Sequence, residues 1–442
     1  MQNQYNGGMN QYNNGMNQYN NGMNQYPYNQ GGGNQEKSTK SFVAGLATGM
    51  AVTMCVFLFA FAVVQFGKGI QRGMERIESE NGVVGESITD EAVVKKLGIL
   101  EETIQELFWQ NVDSETLQNG AYRGMLDSLD DPYSVYYTSE ELIALQEQTQ
   151  GIYYGIGAYI TQDTETGYVM VSGIIKNTPA EESNLMQGDH IYEIDGESMY
   201  NKDSSYVVSK IKGEEGTYVT VTVLRSGEED PIDIDVQRRQ IESPTVEYEM
   251  YDNKMAYIQI TEFDLVTSKQ FEEALEQARQ EGMQGLIIDL RSNPGGNLST
   301  VCEIARMLLP KGLIVYTEDK YGKREEYTCN GQNEIDVPLV VLTNGYSASA
   351  SEILAGAVKD YGIGKLVGTT TYGKGIVQKV INLSDGSAMK ITVSTYYTPN
   401  GNNIHQIGID PDVEVAFDAE QYKNGVDNQL ETAKQVLGEM MN

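Results

Sequence analysis

A buried strand that runs straight into a helix through a turn of small residues constrains the fold of this chain more than any other feature. The apolar run Val337 to Thr343 predicts the strand, and the amphipathic segment Ser351 to Lys359 predicts the helix. Between them lies Tyr346-Ser347-Ala348-Ser349-Ala350. Such a turn exposes a hydroxyl group, and it points the free backbone N–H groups of the helix, with their partial positive charge, at the space in front of it.

Ser349 in this turn is a candidate nucleophile because a candidate base follows it. Lys374 lies 25 residues further on (374 − 349), between Gly373 and Gly375. The chain contains only two histidines, which leaves few candidates for a serine-histidine-acid triad without excluding one. A serine-lysine pair instead needs a desolvated lysine whose neutral amine is populated near neutral pH, and flanking glycines let the backbone fold closely around it. The same turn also suits a simple helix cap.

Several longer motifs accompany these residues in a fixed order. They are GMLDSLD at Gly124–Asp130, DLRSNPGG at Asp289–Gly296, SASASEI at Ser347–Ile353, DYG at Asp360–Gly362, YGKGIVQ at Tyr372–Gln378 and YYTPNG at Tyr396–Gly401. Together they resemble the motifs of the carboxyl-terminal processing (tail-specific) serine proteases, and the resemblance extends from about residue 95 to the C-terminus. It implies a cofactor-free serine endopeptidase in which Ser349 attacks, Lys374 accepts and returns the proton, and Gln378 positions the lysine.

The loop Asn293-Pro294-Gly295-Gly296 precedes a helix predicted from Ser299 to Leu309. Glycine-rich turns at helix starts can bind phosphate, but no P-loop lysine follows this one. The resemblance implies an oxyanion hole instead, in which the N–H groups of Ala350 and of one of the two glycines stabilise the tetrahedral intermediate. Gly295 is favoured, although the sequence does not separate it from Gly296.

A strand-rich domain is predicted over residues 151–240. It begins with Tyr154-Gly155-Ile156-Gly157-Ala158, and glycines before an edge strand can form a nest of converging N–H groups that suits a peptide's terminal carboxylate. Thr178–Ala180, Leu185–Asp189 and Ile194–Gly196 make this stretch resemble a PDZ domain. The predicted partners are therefore unstructured protein or peptide C-termini. The predicted carboxylate-binding residues are Tyr154, Gly155, Ile156 and Gly157.

Strands alternate with helices over residues 241–427, which predicts a mixed α/β (α+β) catalytic domain with the PDZ-like domain inserted before it. The first predicted strand is Met255 to Ile260, followed by a helix around Phe271 to Gln280 and a strand from Gly285 to Leu290. A C-terminal helix over residues 428–442 carries apolar residues on one face. It is expected to dock on the body or to join a homodimer.

The N-terminal part of the chain predicts a tail and an anchor. Residues 1–36 repeat the unit Asn-Gln-Tyr-Asn-Asn-Gly-Met, which offers no apolar seam and predicts disorder. Phe42 to Val64 carries no charge and is long enough for one membrane-spanning helix, so residues 37–67 are predicted to be an uncleaved anchor. A signal peptide cleaved near Ala60-Phe61-Ala62 is the alternative.

The orientation of this single-pass anchor is open to two interpretations. Positively charged residues near the anchor slightly favour a cytoplasmic location for the C-terminal part. The family resemblance implies the opposite, with the protease domain on the extracytoplasmic side of the cell membrane. We adopt the second interpretation as the expectation.

Residues 68–150 are predicted to form a helical region, which the resemblance assigns to assembly or dimerisation. A first helix is predicted by apolar residues at helical spacing, which are Ile99, Leu100, Ile104, Leu107 and Phe108. A second helix is predicted from Ser114 to Leu126. Trp109 and Met125 are expected to pack in a core.

Composition limits the remaining chemistry. No metal site is predicted, because paired histidines are absent and the three cysteines lack ligand spacing; a Cys302–Cys329 disulfide is disfavoured. His190 and His405 are interpreted as structural. The net charge of −32 argues against nucleic acid as a partner. The rival hypotheses are a non-catalytic peptide-binding scaffold on the same fold and a receptor for another ligand.

Overall fold

The computed structural model describes residues 87–251 and 253–442. The predicted tail (1–36) and anchor (37–67) lie outside these residues. Within the described ranges, no helix is both long and apolar enough to cross a bilayer. The chain divides into two units, residues 1–112 and 113–442, and each is described by itself.

The elements are numbered in chain order. The helices are α1 (Glu91–Leu107), α2 (Ser114–Asp127), α3 (Ser139–Gln150), α4 (Pro179–Glu182), α5 (Ser204–Ile211), α6 (Thr267–Gln280), α7 (Leu298–Arg306), α8 (Ala350–Tyr361), α9 (Ala419–Lys423) and α10 (Asn428–Met441). The strands are β1 (Val135–Tyr137), β2 (Ile152–Gly155), β3 (Ala158–Gln162), β4 (Val169–Ile174), β5 (His190–Ile194), β6 (Glu197–Ser198), β7 (Tyr218–Leu224), β8 (Ile232–Gln237), β9 (Arg239–Glu242), β10 (Val246–Met250), β11 (Met255–Ile260), β12 (Gly285–Asp289), β13 (Gly312–Asp319), β14 (Arg324–Cys329), β15 (Leu339–Thr343), β16 (Gly364–Gly368), β17 (Ile376–Asn382), β18 (Ala388–Tyr397) and β19 (Val413–Glu414).

In the first unit, the described structure is α1 and the residues beside it. The helix forms where the apolar spacing predicts one, but none of its residues is buried. Trp109, just beyond its end, is 81% exposed. In the second unit, Met125 on α2 is 47% exposed. The prediction that these two side chains pack in a core is wrong, because helical periodicity identifies an apolar face without showing what covers it.

The second unit contains the predicted α/β architecture. Its main sheet has the order β10-β11-β12-β15-β16-β19, with β10 antiparallel and the other pairings parallel. Strands β12 and β15 are buried at every residue, which is expected for central parallel strands covered on both faces. Helices α6, α7 and α8 contribute to the core on one face. The loops after β12 and β15 leave the sheet at the same edge, because both strands run in the same direction.

Helix α10 covers the opposite face of this sheet. Ala433 and Leu437 are fully buried there against residues of β12, β15 and β16. The prediction that the C-terminal helix docks on the body is confirmed. Its participation in a homodimer stays a prediction.

A smaller sheet has the order β1-β18-β13-β14, with β17 also paired to β18. Strand β1 belongs to the region before the inserted domain, yet Val135 pairs with Lys390 across more than half of the chain. This pairing brings the residues just before β1 next to the start of β17, where Lys374 is located.

The inserted domain, from β2 to β9, has its own sheet in the order β3-β4-β5-β7-β8 and its own apolar core. Its first and last strands pair with each other, with Ile152 opposite Glu242 and Gly155 opposite Arg239. The chain therefore enters and leaves the domain at one place.

Candidate active site

Ser349 occupies a strained position at the start of α8. Its backbone has φ 55° and ψ −113°, a conformation that residues with a side chain rarely adopt. Holding such a residue costs about 1–3 kcal/mol, which the surrounding hydrogen bonds must offset. The Ser347 hydroxyl donates to the carbonyl of Leu290 at 2.7 Å, and the Ala348 N–H donates to the carbonyl of Asn293 at 3.0 Å. The turn is thus fixed to the loop that follows β12.

That loop brings Gly295 against the Ser349 turn. A Cβ atom at Gly295 would lie 2.8 Å from Ser349 Cβ and 2.9 Å from the Ala350 nitrogen, so only glycine fits. The predicted oxyanion-hole residues are therefore brought together. The Gly295 N–H, however, already donates to Asn293 Oδ1 at 2.8 Å, whereas the described contacts include no acceptor for the Gly296 N–H. Which glycine serves an oxyanion stays a prediction.

Glu352 connects the predicted nucleophile to the loop of the predicted base. Its carboxylate is fully buried and accepts four hydrogen bonds. Oε2 accepts from the N–H groups of Ser349 at 2.8 Å and Lys374 at 2.9 Å. Oε1 accepts from the Thr371 hydroxyl at 2.6 Å and the Gly373 N–H at 2.7 Å. A buried charge with this many donors is well stabilised, so it fixes the two backbone segments relative to each other.

Lys374 is half-buried, and burial lowers the pKa of its ammonium below the ordinary value. The positive charge of Lys390 lowers this pKa further, whereas the carboxylates of Asp131 and Glu352 oppose the shift. Its Nζ atom lies 4.3 Å from the centroid of the Tyr133 ring. Among the contacts of the described residues, no hydrogen bond joins Lys374 Nζ to Ser349 Oγ.

Tyr133 belongs to the segment that precedes β1 and is held beside Lys374 by side-chain contacts. Its hydroxyl donates to the Tyr372 hydroxyl at 3.4 Å, and Asp131 Oδ1 accepts from its backbone N–H at 3.1 Å. Asp131 Oδ2 also accepts from the Ser134 hydroxyl at 2.6 Å. Burial, followed by the hydrogen bond with Tyr372, raises the pKa of the Tyr133 phenol to about 12, so the ring is neutral.

Gln378 is close to this segment but does not bond to the lysine here. Its side-chain amide donates to Thr392 Oγ1 at 3.1 Å, and the Thr392 N–H donates to Ser134 Oγ at 3.1 Å. The amide of Gln378 therefore joins the network that holds the Tyr133 segment. Its predicted contact with Lys374 is not formed in this structure, and a catalytic role for Gln378 stays a prediction.

The predicted carboxylate-binding loop lies between β2 and β3. Gly157 has φ 85°, and a Cβ atom there would lie 2.3 Å from Thr178 Cβ. The carbonyls of Ile156 and Gly157 accept from the N–H groups of Ala180 and Ile175. The N–H groups of these two loop residues have no acceptor within the described part of the chain, and both residues line a cavity of about 620 Å³. Residues that line a cavity and have N–H groups without acceptors suit a terminal carboxylate.

The cysteine and histidine side chains of the described residues make no hydrogen bond to Ser349, Lys374 or Glu352. Cys302 and Cys329 are buried free thiols. His190 pairs with Asp163 at 2.8 Å on the surface of the inserted domain, and His405 has one buried ring nitrogen without a partner. Across residues 87–251 and 253–442, no group of three or more His, Cys, Asp and Glu side chains is arranged to hold a metal ion.

The sequence patterns predict no role for Glu352, Asp131 or Tyr133. Glu352 lies three residues after Ser349, the spacing of a capping box, and that signal could have identified it. Asp131 and Tyr133 directly follow the motif at Gly124–Asp130 but carry no local signal of their own. Only the pairing of β1 with β18 brings them to Lys374.

Three family descriptions match successive parts of the chain. Activating protease CtpB N-terminal domain matches residues 57–141, PDZ domain matches residues 146–236, and Peptidase family S41 matches residues 254–415. The last match contains the Ser349 turn, Glu352 and Lys374.

Curated relatives extend these matches over most of the chain. The carboxy-terminal processing protease CtpA of Bacillus subtilis (strain 168) is 34% identical over 341 residues, covering 76% of this chain and 72% of that protein. CtpB of the same organism is 36% identical over 318 residues, covering 71% and 66%. The carboxyl-terminal-processing protease of Synechocystis sp. is 37% identical over 296 residues, covering 66% and 69%. A solved photosystem II D1 C-terminal processing protease is 31% identical, with a TM-score of 0.43, over 72% of this chain and 86% of that one.

Proposed function

Because the chain belongs to the carboxy-terminal processing proteases of peptidase family S41 and is a serine protease with a PDZ domain, we propose that it is a membrane-anchored endopeptidase. The PDZ domain captures unstructured protein C-termini, and a Ser349–Lys374 dyad cleaves them. The observation that carries this proposal is the Glu352 carboxylate, which bonds the backbone N–H groups of both dyad residues.

The proposed reaction is an acyl transfer through Ser349. Lys374 Nζ, as the neutral amine, removes the hydroxyl proton while Ser349 Oγ attacks the substrate carbonyl. The N–H of Ala350 and that of Gly295 or Gly296 stabilise the oxyanion. Lys374 returns the proton to the departing amine, and it then activates the water that hydrolyses the acyl-enzyme.

In this conformation the dyad is not yet aligned, and the Lys374 side chain must move before it can act as the base. Lys374 Nζ faces the ring of Tyr133 and must turn toward Ser349 Oγ to remove its proton. The Gly295 N–H likewise must leave Asn293 if this glycine is to stabilise an oxyanion. Both features also fit the rival hypothesis of a peptide-binding scaffold without turnover, so a cleavage assay must decide between them.

The decisive experiment incubates the full chain with an unstructured reporter protein. Ser349→Ala, Lys374→Ala and Lys374→Arg should each abolish cleavage, since a guanidinium does not give up its proton to become a base. Lys379→Ala, on the exposed part of β17, is the matched control and should cleave normally. Thermal unfolding should show that all four variants fold. Turnover by Lys374→Ala, or a wild-type protein without turnover, would contradict the proposed dyad.

We propose that residues 37–67 hold the protein in the cell membrane with the protease domain on the extracytoplasmic side. Support comes from the uncharged run Phe42 to Val64 and from the family to which the chain belongs. A protease added to cells stripped of their outer layers should digest the region after Lys68 and spare the tyrosine-rich tail. The reverse protection pattern would refute this orientation.

A further inference from the structure

The cavity of about 620 Å³ lies where the PDZ domain (β2 to β9) joins the remainder of residues 113–442, which form the protease body. One side is formed by the loop Gly155–Ala158 and by residues of α5. The other side is formed by residues of α3, by Ser243–Thr245 and by residues 261, 262 and 264 after β11. A peptide tail that binds the loop therefore places its last side chains against residues of the protease body.

Asp264 contributes an unusual group to this cavity. The residue is only 5% exposed, and its backbone N–H donates to Thr267 Oγ1 at 2.9 Å. Its carboxylate oxygens accept no hydrogen bond and meet no cation within the described ranges. A buried carboxylate ordinarily has several donors or a charged partner, because removing it from water is costly. The carboxylate of Asp264 thus lines the cavity without a hydrogen-bond donor or a cation from the described part of the protein.

The neighbouring charges do not compensate Asp264. Glu147, Glu247 and Glu262 also line the cavity, and Lys212 is its sole lining cation within the described chain. Lys212 Nζ lies 2.6 Å from Glu147 Oε2 and is therefore already paired. Three of the four lining carboxylates are left without a cation.

Burial, with the charge of Glu262 as the second cause, raises the pKa of Asp264 to about 7. Burial also raises the pKa of Glu262. At pH 8 the cavity holds uncompensated negative charge that a cationic guest would stabilise.

The guest that fits is an organic cation. The carboxylates are not grouped closely enough to form a metal site, as no described cluster of three acidic, histidine or cysteine side chains could hold an ion. A cavity of about 620 Å³ accommodates a long side chain together with part of a peptide backbone. The free N–H groups of Ile156 and Gly157 in the same cavity suit the terminal carboxylate of such a peptide.

We propose that Asp264 and Glu262 form a subsite for the ammonium or guanidinium group of a lysine or arginine within the last few residues of the captured tail. The proposal rests on tail capture by the PDZ domain, but it does not depend on the Ser349–Lys374 dyad. The protease body thereby reads a side chain of the tail whose terminus the PDZ domain holds. Preference for a basic tail follows from this arrangement.

The test measures binding of tails to the full chain carrying Ser349→Ala, so that nothing is cleaved. Free-acid peptides carry one arginine at each of the last five positions in turn, and citrulline replaces it in matched peptides. At one position the arginine peptide should bind roughly 10- to 100-fold more tightly at pH 8, the range of a charge-assisted hydrogen bond. The advantage should shrink at pH 5.5, where Asp264 is protonated.

Two substitutions assign the effect to the subsite. Asp264→Asn and Glu262→Gln, each added to the Ser349→Ala chain, should remove most of the arginine advantage while leaving citrulline peptides bound as before. Glu249→Gln, on the exposed face of β10 outside the cavity, should retain it. Thermal unfolding identifies any variant that fails to fold, in which case the other variant decides.

Three outcomes would overturn the subsite. Equal binding of arginine and citrulline peptides at every position would sink it while leaving tail capture intact. An advantage that persists in both substituted proteins would place the cation elsewhere. No binding of either peptide would show that capture itself fails.

Discussion

Two buried carboxylates, Glu352 and Asp264, differ in what surrounds them. Glu352 is fully buried and accepts four hydrogen bonds, two of them from the backbone of the dyad residues. Asp264 is 5% exposed and accepts none among the described residues. The fold supplies hydrogen-bond donors to the carboxylate of Glu352 but none to that of Asp264 among the described residues. The comparison teaches that burial by itself does not define a carboxylate's role, because the available donors decide whether it holds the fold together or can receive a guest.

The largest effect is expected from Glu352→Ala. This change leaves four donors without an acceptor and separates the Ser349 turn from the Lys374 loop. We expect the free energy of unfolding to fall by about 3–5 kcal/mol, as when one partner of a buried charged network is removed. Cleavage should be lost even under conditions where the variant is folded. Denaturant unfolding and a cleavage assay measure the two effects.

Glu276→Ala on the exposed side of α6 is the control for this prediction and should change neither quantity. A folded Glu352→Ala protein that cleaves at the wild-type rate would show that the four hydrogen bonds do not position the dyad. The difference in hydrogen bonding between Glu352 and Asp264 would then not explain how the catalytic residues are positioned.

Asp264→Asn should have the opposite sign and stabilise the protein at high pH. The pKa of Asp264 is raised to about 7 in the folded state from about 3.9 in an unfolded chain. Folded wild-type protein therefore loses stability as the pH rises from about 4 to 7 and does not regain it above 7. Asparagine carries no such penalty, so its advantage at pH 8 should be about 2 kcal/mol after allowance for water in the cavity.

Denaturant unfolding at pH 5 and pH 8 measures this advantage, which should be larger at pH 8. Asp336→Asn, at an exposed site, should follow the wild-type pH dependence. An Asp264→Asn protein with the wild-type pH dependence would mean that Asp264 is not penalised in the folded state.

Tyr133→Leu tests a third kind of surrounding, a cation that faces an aromatic ring. Lys374 Nζ lies 4.3 Å from the centroid of this ring, so a turn toward Ser349 Oγ that keeps Nζ within about 6 Å of the ring lets the ring stabilise the ammonium formed when Lys374 takes the serine proton. Such contacts contribute about 0.5–2 kcal/mol. Leucine should therefore reduce kcat/KM by roughly 2- to 30-fold. It should also move the acidic limb of the pH profile to lower pH, because a less stabilised ammonium loses its proton more easily.

Tyr133→Phe keeps the ring and should retain most of the activity and the position of the limb. The titratable groups around Lys374 are Asp131, Glu352, Tyr372 and Lys390, and both variants leave them unchanged. A Leu variant with reduced activity but an unshifted limb would indicate that Tyr133 acts only in packing.

The smallest effect is expected at Lys212 and Glu147, the pair that is already formed inside the cavity. Both side chains are more than a third exposed, so Glu147→Gln should lower the free energy of unfolding by less than about 1 kcal/mol. It frees the Lys212 ammonium, and free-acid tails should then bind slightly more tightly, with amidated tails unaffected. Equal gains for both kinds of tail would show that Lys212 does not interact with the terminal carboxylate.

The features that the sequence predicts well are local ones. The β15-to-α8 turn, the α10 helix and the glycines around Lys374 are each defined by residues within one short segment. Secondary structure follows from such patterns because periodicity and turn residues act over a few positions. The comparisons confirm the family and the PDZ domain that the longer motifs indicate.

The features that the sequence does not predict depend on distant segments. Three of the four donors to Glu352 lie 19, 21 and 22 residues away, and Tyr133 reaches Lys374 only because Val135 pairs with Lys390. The absence of donors around Asp264 is likewise a property of the assembled cavity. Gln378 follows the family motif, yet its amide bonds to Thr392 because β17 and β18 place the two side chains side by side.

The pairing of β2 with β9 gives the molecule a modular design. Ile152 and Glu242 lie opposite each other. The two ends of the inserted domain are therefore neighbours in space, although they are ninety residues apart in the sequence (242 − 152). Neighbouring strands lie about 5 Å apart, a gap that a two-residue Asn-Gly turn closes. The PDZ domain could therefore be exchanged by protein engineering for another domain whose first and last strands form the same pair. Evolution could change the tail preference of the enzyme by the same route, since a new inserted domain needs no change in β15 or β17, the strands next to Ser349 and Lys374.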